Sequence, residues 1–524
     1  MENETENLNF TQQNFNFLLS ENHKKTEEVS KLEESLSEAN KVINYLSEQI
    51  RLAKLRHFGK KSEVLSCLSA LQLNLDFGFD EEEQAKAEEP EVTSETETIT
   101  YTRAKAKSSG RNIDTSKLPR EQIVHDLRDE NKKCDTCGKD LEKIGEDKSE
   151  KLEYIPAELK VIEHICPKYT CRCCGTIKSV HKPESAIPKC MAGESLIAEV
   201  IIRKYEHHLP WYRQSKIFAQ EGVDIPANTM GNWFMQAGEV LEPLKDALWE
   251  QLNHTNILQA DETRVKVLLE NIEGYMWAYH SLSPENRFII FEYNDSRSGS
   301  VVNTTLENYK GILQSDGYSG YNNLRAKEGV INIGCWAHCR RKFAEIVKIS
   351  SKIGFAHEMV GLIGKLYQVE DLARKDNLSI ADRKAIRQEK AKPIVDKIQT
   401  RLLKAQAPPQ SGIGKAVGYA LNQWQYLANY LDYGEAEIDN NLVENQIRPF
   451  ALGRKNWLFT GNKKAADNAA FFYSIIQTCR INDIDARQYL IYVLKKAQKM
   501  RRGEIDPKSL LPQIICKKIP VKSI

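Results

Sequence analysis

Three carboxylates stand in sequence settings that could bring them to one point. Asp261 closes the apolar run of ILQADET, Asp316 follows ILQ in GILQSDGYSGY, and Glu444 lies in EIDNNLVENQIRP. A short apolar run ending in Asp reads as a strand that carries a carboxylate to a sheet edge, and the stretch around Glu444 reads as the start of a helix. Two strand-end aspartates and a helical glutamate can meet over one rim of a sheet. Hard divalent cations prefer such oxygen ligands, so the set could hold a pair of Mg²⁺ (or Mn²⁺) ions. One ion would activate water or a 3′-hydroxyl, and the other would stabilise the leaving oxygen of an in-line displacement at phosphorus. Other readings stand beside this one. The chain has 73 Asp and Glu residues, so three carboxylates are not in themselves a site. Asp316 could cap the turn into Gly317, and Glu444 could pair with Arg448 four positions on along a helix. Glu262 is expected on the opposite side of the strand from Asp261.

A second constellation suits a different metal. Cys134 and Cys137 in CDTCGKD, and Cys171 and Cys174 in CRCCGT, form two C-x-x-C pairs, each followed at once by Gly. The two-residue gap lets both thiolates of a pair face one ion, and the glycine lets the backbone turn beneath the sulfurs. Four thiolates in tetrahedral array suit one structural Zn²⁺. Cys173, His164 and Cys166 are close enough in sequence to replace a ligand, and four unliganded cysteines in a small core remain the alternative. Cys335, His338 and Cys339 could make a second metal site, but no fourth ligand is evident. Arg340, Arg341 and Lys342 follow Trp336 and His338, while Arg448, Arg454 and Lys455 precede Trp457 and Phe459. Basic groups interleaved with aromatics suit phosphate contact with base stacking, or else a solvated helix face over core aromatics.

These groups need a multidomain frame. Val29, Leu32, Leu36, Ala39, Ile43, Leu46, Ile50 and Ala53 are spaced by threes and fours, a heptad seam expected to form a self-associating coiled-coil helix over residues 18–62, the alternative being an amphipathic helix packed on its own chain. An acidic, then basic, stretch at 77–117 reads as a flexible linker, and a zinc-binding module follows at 118–188. Residues 189–254 read as helical. Tyr212 to Gln220, the turn at Gly222 and a helix opening at Pro226 outline a helix-turn-helix or an ordinary helical hairpin. Residues 255–482 read as a mixed α/β catalytic core with a helical insertion at about 345–431. A C-terminal helix and a loose, proline-containing tail are expected over 483–524.

Composition sets the outer limits. The chain has 524 residues, 41% of them apolar, which is enough for several cores. Net charge is only +1, so any nucleic-acid contact must come from local patches. The acidic start MENETENLNF lacks the layout of a secretion signal, and no apolar run is long enough to span a bilayer. A cytoplasmic protein is expected, and in that compartment 12 cysteines including two close pairs favour metal over disulfides.

In order, LQADET, LQSDGYSGYN, GCWAHCRRKF and EIDNNLVENQIRPFALGRKNWLFTG resemble the insertion-sequence 66 family of bacterial transposases. RHFGKKSE, the CDTCG and CRCCG pairs, and KYEHHLPWYRQSKIFAQEGVDI are similar to earlier segments of that family. The resemblance implies an RNase H-like core of the DDE type, with Asp261, Asp316 and Glu444 as its catalytic triad. It implies cutting of double-stranded DNA at element ends and joining to target DNA, without a covalent protein–DNA intermediate. It also makes accessory proteins of the same element plausible partners. Asn445 stands where the family usually has Arg, and Cys339 where it usually has a small residue. A zinc-containing DNA-binding regulator and a purely hydrolytic nuclease of the same fold are the rival function classes.

Overall fold

The computed structural model describes residues 159–170, 177–180, 184–350 and 353–515, together with Lys25, Val29 and Lys31. The expected coiled coil (apart from Lys25, Val29 and Lys31, which are helical and exposed), the linker and all four zinc-candidate cysteines lie outside the described residues. The first described elements, β1 (Lys168–Thr170) and β2 (Ile177–Ser179), pair antiparallel and flank the sequence positions of Cys171 and Cys174.

A helical block follows: α1 (Glu194–Tyr205), α2 (Trp211–Gln220), α3 (Ala227–Val240) and α4 (Glu242–Glu250). α1 forms because Ile197, Val200, Ile201 and Tyr205 recur on one face and are buried there. Glu194 in its first turn and Arg203 and Lys204 in its last complement the helix dipole. Gly222, at φ +89°, makes the left-handed turn that separates α2 from α3. Pro226 is the N-cap of α3, one position earlier than the sequence suggests.

The chain then builds one mixed sheet from β3 (Ile257–Val267), β4 (Ile272–Ser281), β5 (Ile289–Asn294), β6 (Gly311–Gln314) and β7 (Val330–Ile333). The order is β5-β4-β3-β6-β7. β3, β4 and β5 run antiparallel, whereas β6 and β7 run parallel to β3. Short helices α5 (Gly299–Thr305) and α6 (Asn322–Arg325) cover the crossovers. The mixed α/β sheet expected from the sequence is present. One detail differs. Asp261 is not at the end of its strand: the apolar run stops there, but Val265 and Val267 continue the alternation, and β4 pairs with β3 as far as Val267. What ends early is the partnership with β6, which spans only Ile257 to Gln259. Asp261 therefore lies just beyond the end of β6.

Helices α7 (Trp336–Ile349), α8 (Phe355–Lys375), α9 (Ile380–Ile386), α10 (Lys392–Leu403), α11 (Gly412–Asn422) and α12 (Trp424–Asn429) follow β7. They pack into a second core that includes Trp336, Phe343, Leu366 and Tyr430 and is joined by Ile257, Ile312 and Ile333 from one face of the sheet. α13 (Asn441–Trp457), α14 (Lys463–Ile481) and α15 (Ala486–Arg501) then return to the sheet and pack with α1 and α3. α14 covers the open edge of β5, where Thr478 and Ser474 hydroxyls accept from the Ile289 and Phe291 amides at 3.1 and 2.8 Å. An edge strand capped in this way offers no free amides at these positions to another sheet.

The expected loose tail is corrected as far as Ile515; residues 516–524 lie outside the described residues. Leu510, Leu511 and Ile515 are buried in the main core, the last of them in α16 (Pro512–Ile515), and the Tyr489 hydroxyl donates to the Leu510 carbonyl at 2.7 Å. Three prolines made the segment look irregular, but its apolar residues have a helix face to bury against. Among the described residues no helix is long and apolar enough to cross a membrane.

Candidate active site

The rim beyond β6 gathers the three carboxylates from separate elements. Asp261 projects from β3, Asp316 follows β6 by two residues, and Glu444 stands in the first turn of α13. Burial, followed by the charges of Glu262, Asp316 and Glu444, holds the Asp261 carboxyl well above its usual range. Burial pushes Glu444 up to about 7; Arg341 and Arg448 pull against that, while Asp439 and Asp316 add to it. The charges of Asp316 and Glu444 thus bear on Asp261, and that of Asp316 bears on Glu444. Asp316 Oδ1 also accepts from the Tyr318 amide at 2.9 Å, so the turn-capping role exists alongside any other.

Glu262 lives differently. It faces the opposite side of β3, where the Arg297 guanidinium donates to its Oε1 at 2.8 and 2.7 Å and the Tyr321 hydroxyl donates to its Oε2 at 3.1 Å. Burial still raises it, but Arg297 opposes the rise, and Arg297 is itself stacked 4.1 Å from the Tyr318 ring. Glu262 is a carboxylate already neutralised by a partner.

His338 on α7 was not among the residues expected here. Its Nδ1 lies 3.8 Å from Glu444 Oε1, and neither atom finds a hydrogen-bond partner among the described residues. Burial lowers its imidazole to about 4, so it is neutral at pH 7. The fit to a cation rests on donor chemistry: three hard carboxylates, two of them raised above their ordinary values, and an orphaned buried Glu444 oxygen. Among the described residues no three His, Cys, Asp or Glu side chains stand at ligating separation from a common point. Cys335 and Cys339 are buried, and burial raises both thiols, Cys339 to about 12, which suits protonated core residues rather than a second metal site.

The basic residues divide. Arg341 and Arg448 act electrostatically on Glu444. Lys342 is exposed, with Nζ 5.6 Å from the Tyr419 ring centre, and Arg340 is half-buried. Arg454 donates to the Arg264 carbonyl and lies 3.5 Å from Thr263 Oγ1, tying the end of α13 to β3. Lys455 beside it is exposed. The base-stacking idea is corrected for two aromatics. Trp336 is fully buried and donates to the Leu427 carbonyl at 2.9 Å, and Trp457 packs 5.4 Å from Phe450. Phe459 is exposed.

Comparison with known families decides the affiliation. Residues 189–468 match the model for the transposase IS66 family. The chain belongs to the IS66 transposase family. Residues 131–175, which contain Cys134, Cys137, Cys171 and Cys174, match the zinc-finger binding domain of transposase IS66. Residues 45–123 match a model described as transposase C of IS166 homeodomain. A Sinorhizobium fredii protein, uncharacterized protein y4jD, is 30% identical over 479 residues, covering 87% of this chain and 91% of its own length. Uncharacterized proteins y4hP and y4qI from the same organism are each 33% identical, covering 69% and 72% of this chain and 70% and 73% of their own. The layout of this IS66 chain is thus an N-terminal segment, a zinc finger and a transposase domain, in that order.

Proposed function

We propose that the chain is a DDE-type DNA transposase, that its five-stranded sheet is an RNase H-like core, and that Asp261, Asp316 and Glu444 are its catalytic carboxylates. The observation that carries this is the convergence of carboxylates from β3, the loop after β6 and α13, where Asp316 and Glu444 raise Asp261 and Asp316 raises Glu444. Family membership and the order β5-β4-β3-β6-β7 support it. The substrates are the double-stranded ends of an insertion sequence and a target DNA. Asp261, Asp316 and Glu444 would hold Mg²⁺ or Mn²⁺, which when bound supplies an activated water or 3′-hydroxyl and a sink for the leaving oxygen. Arg341 and Arg448 bring positive charge beside Glu444, where a phosphate approaches. Arg297 keeps Glu262 engaged on the other face of β3, so it does not compete for the cation. Arg340, Lys342, Arg454 and Lys455 extend the basic surface for DNA, with Arg454 also anchoring α13.

Around this core, we assign Cys134, Cys137, Cys171 and Cys174 to one structural Zn²⁺, the heptad helix to self-association, and α2 and α3 to a helix-turn-helix contact with DNA. The domain spans given by the sequence are retained, and a bacterial cytoplasmic site of action goes with this chemistry. Asp316→Asn is expected to cut Mg²⁺-dependent cleavage of element-end DNA by at least ~1,000-fold while DNA binding persists. Retained cleavage by a folded Asp316→Asn protein removes the triad. Joined products in a strand-transfer assay separate a transposase from a hydrolytic nuclease, and metal analysis showing about one Zn per chain tests the cysteine site.

A further inference from the structure

The motif Leu-Gln-x-Asp occurs twice, at LQAD (258–261) and LQSD (313–316), each time ending in a proposed catalytic aspartate. β3 and β6 are parallel, with Gln259 directly beside Gln314 in the register. Both side chains are fully buried at 0% exposure. An apolar residue could fill either place, since a buried amide is costly unless its hydrogen bonds are met.

They are met in one particular way. Gln259 Nε2 donates to Gln314 Oε1 at 2.8 Å and to the Asp439 carbonyl at 2.8 Å. Gln259 Oε1 accepts from the Val443 amide at 3.0 Å. Gln314 Nε2 donates to the Glu437 carbonyl at 2.7 Å and reaches the Gly334 carbonyl at 3.5 Å. Both amides use every donor, and neither can flip: a turned Gln259 would set its NH₂ against the Val443 N–H.

The gripped segment is also held to the helical insertion, by Arg374 and Arg383 on Glu437 and by the Tyr367 hydroxyl on Asp439, whereas the two glutamines tie it to the strands that lead to Asp261 and Asp316. Residues 437–440 belong to no strand, and the N-cap Asn440 makes no side-chain capping bond. Val443 N–H is one of the first-turn amides a helix leaves without an internal partner. Gln259 supplies that partner from a distant strand, immediately before Glu444. The same two strands carry Asp261 and Asp316 two residues further on.

We propose that Gln259 and Gln314 are positioning residues that set the reach of Glu444 relative to Asp261 and Asp316, transmitting the sheet register into the spacing of the three carboxylates. This rests on the triad reading above. Gln259→Met and Gln314→Met preserve side-chain length and remove the amide. In the full-length protein, each variant should lower kcat about 100-fold for Mg²⁺-dependent cleavage of a labelled duplex bearing the element's own end. KM for that duplex should stay within about twofold, since uniform binding is untouched. Mn²⁺ binding followed by electron paramagnetic resonance should weaken, and the double variant should lose no more than the worse single, as expected of one unit. Folded Met variants with wild-type kcat and Mn²⁺ binding overturn the proposal, as does a loss confined to KM. If the variants do not fold, hydrogen exchange of the wild-type chain decides. A slow Val443 amide supports the staple, and exchange at the rate of an uncapped first-turn amide overturns it. Asp316→Asn is the separate control: cleavage surviving in that variant removes the triad but not the protection at Val443, whereas neutral Met variants beside a dead Asp316→Asn remove only the staple.

Discussion

Glu437 and Glu444 stand on either side of the start of α13, and their surroundings do opposite things to them. Burial pushes Glu437 up, but the Arg383 and Arg374 guanidiniums, at 2.9 to 3.0 Å, outweigh it and hold the carboxyl at about 2. Glu444 is buried to a similar degree, with its side chain 19% exposed against 18%, yet it sits at about 7. Burial is common to both; the arginine charge outweighs it at Glu437, whereas the opposing charges of Arg341 and Arg448 do not outweigh it at Glu444. In the loop before α13, Glu437 is held by two arginines and Asp439 accepts from the Tyr367 hydroxyl. At the rim after that loop, burial leaves Asp261 and Glu444 raised, and under the proposed reading a bound cation would offset that. Stability and function are thus assigned to adjacent stretches of one segment, and the helical insertion supplies the arginines for the first.

The largest expected effect breaks the arginine-held side. Arg387 is fully buried, pairs with Glu370 at 2.7 Å and donates to the Tyr430, Tyr433 and Ala436 carbonyls at 2.7 to 2.8 Å. Arg387→Met leaves Glu370 buried with only Arg383 and strips three carbonyls of their donor. Losses of about 3–5 kcal/mol are typical when one partner of a buried pair is removed. Urea unfolding should show that loss, and a change under about 1 kcal/mol would mean the network is dispensable.

Acid should act on the same side. Between pH 2 and 4.5 the unfolded chain protonates Glu437 and the folded chain does not, so stability rises with pH across that window. The contribution is complete above about 4.5 and lost as pH falls toward 2. Its size, from the two limits, is about 3 kcal/mol. Glu437→Gln should flatten this limb of the stability curve; an unchanged limb would assign acid sensitivity elsewhere.

The carboxylate rim should show the reverse slope. Glu444 is raised, so between pH 4.5 and 7 the folded chain holds a proton that the unfolded chain releases, and stability falls as pH rises. In chelator the decline should reach about 2–3 kcal/mol, with Asp261 acting in the same direction. Millimolar Mg²⁺ should remove most of it by binding the folded state alone. A decline that Mg²⁺ leaves untouched would count against these carboxylates as its ligands.

How much of this was legible depended on what kind of signal each residue gives. The strands were readable because β3 to β7 are short apolar runs bounded by turn residues, and the places of Asp316 after β6 and Glu444 at the opening of α13 were readable too, whereas Asp261 lies inside β3 and not at its end. The length of β3 was not readable, since Thr263 to Lys266 look polar until β4 is known to pair with them. Trp336 and Trp457 beside arginines resembled a stacking surface; helix periodicity puts them on the inward face, and neighbouring sequence does not show which face is inward. The glutamine pair left a trace, LQxD written twice, but its meaning needs the parallel register of β3 and β6. Lys and Arg counts say nothing about which arginine will be buried: Arg387 is fixed by carbonyls from 430 to 436 that are distant in sequence.

The smallest effect is the control for the whole comparison. Lys464 and Glu239 join α14 to α3 by an ion pair at 2.5 Å, with both side chains more than half exposed. On a contact diagram it looks like Arg383 with Glu437. Water screens it, however, and two long side chains must be ordered to make it, so Lys464→Ala should cost no more than about 0.5–1 kcal/mol and should weaken further in high salt. The Arg387→Met loss should be nearly salt-independent, because Arg387 and Glu370 are both at 0% exposure. Equal losses from the two variants, or equal salt dependence, would mean that burial is not what separates the arginine-held loop from the rest of the charged surface.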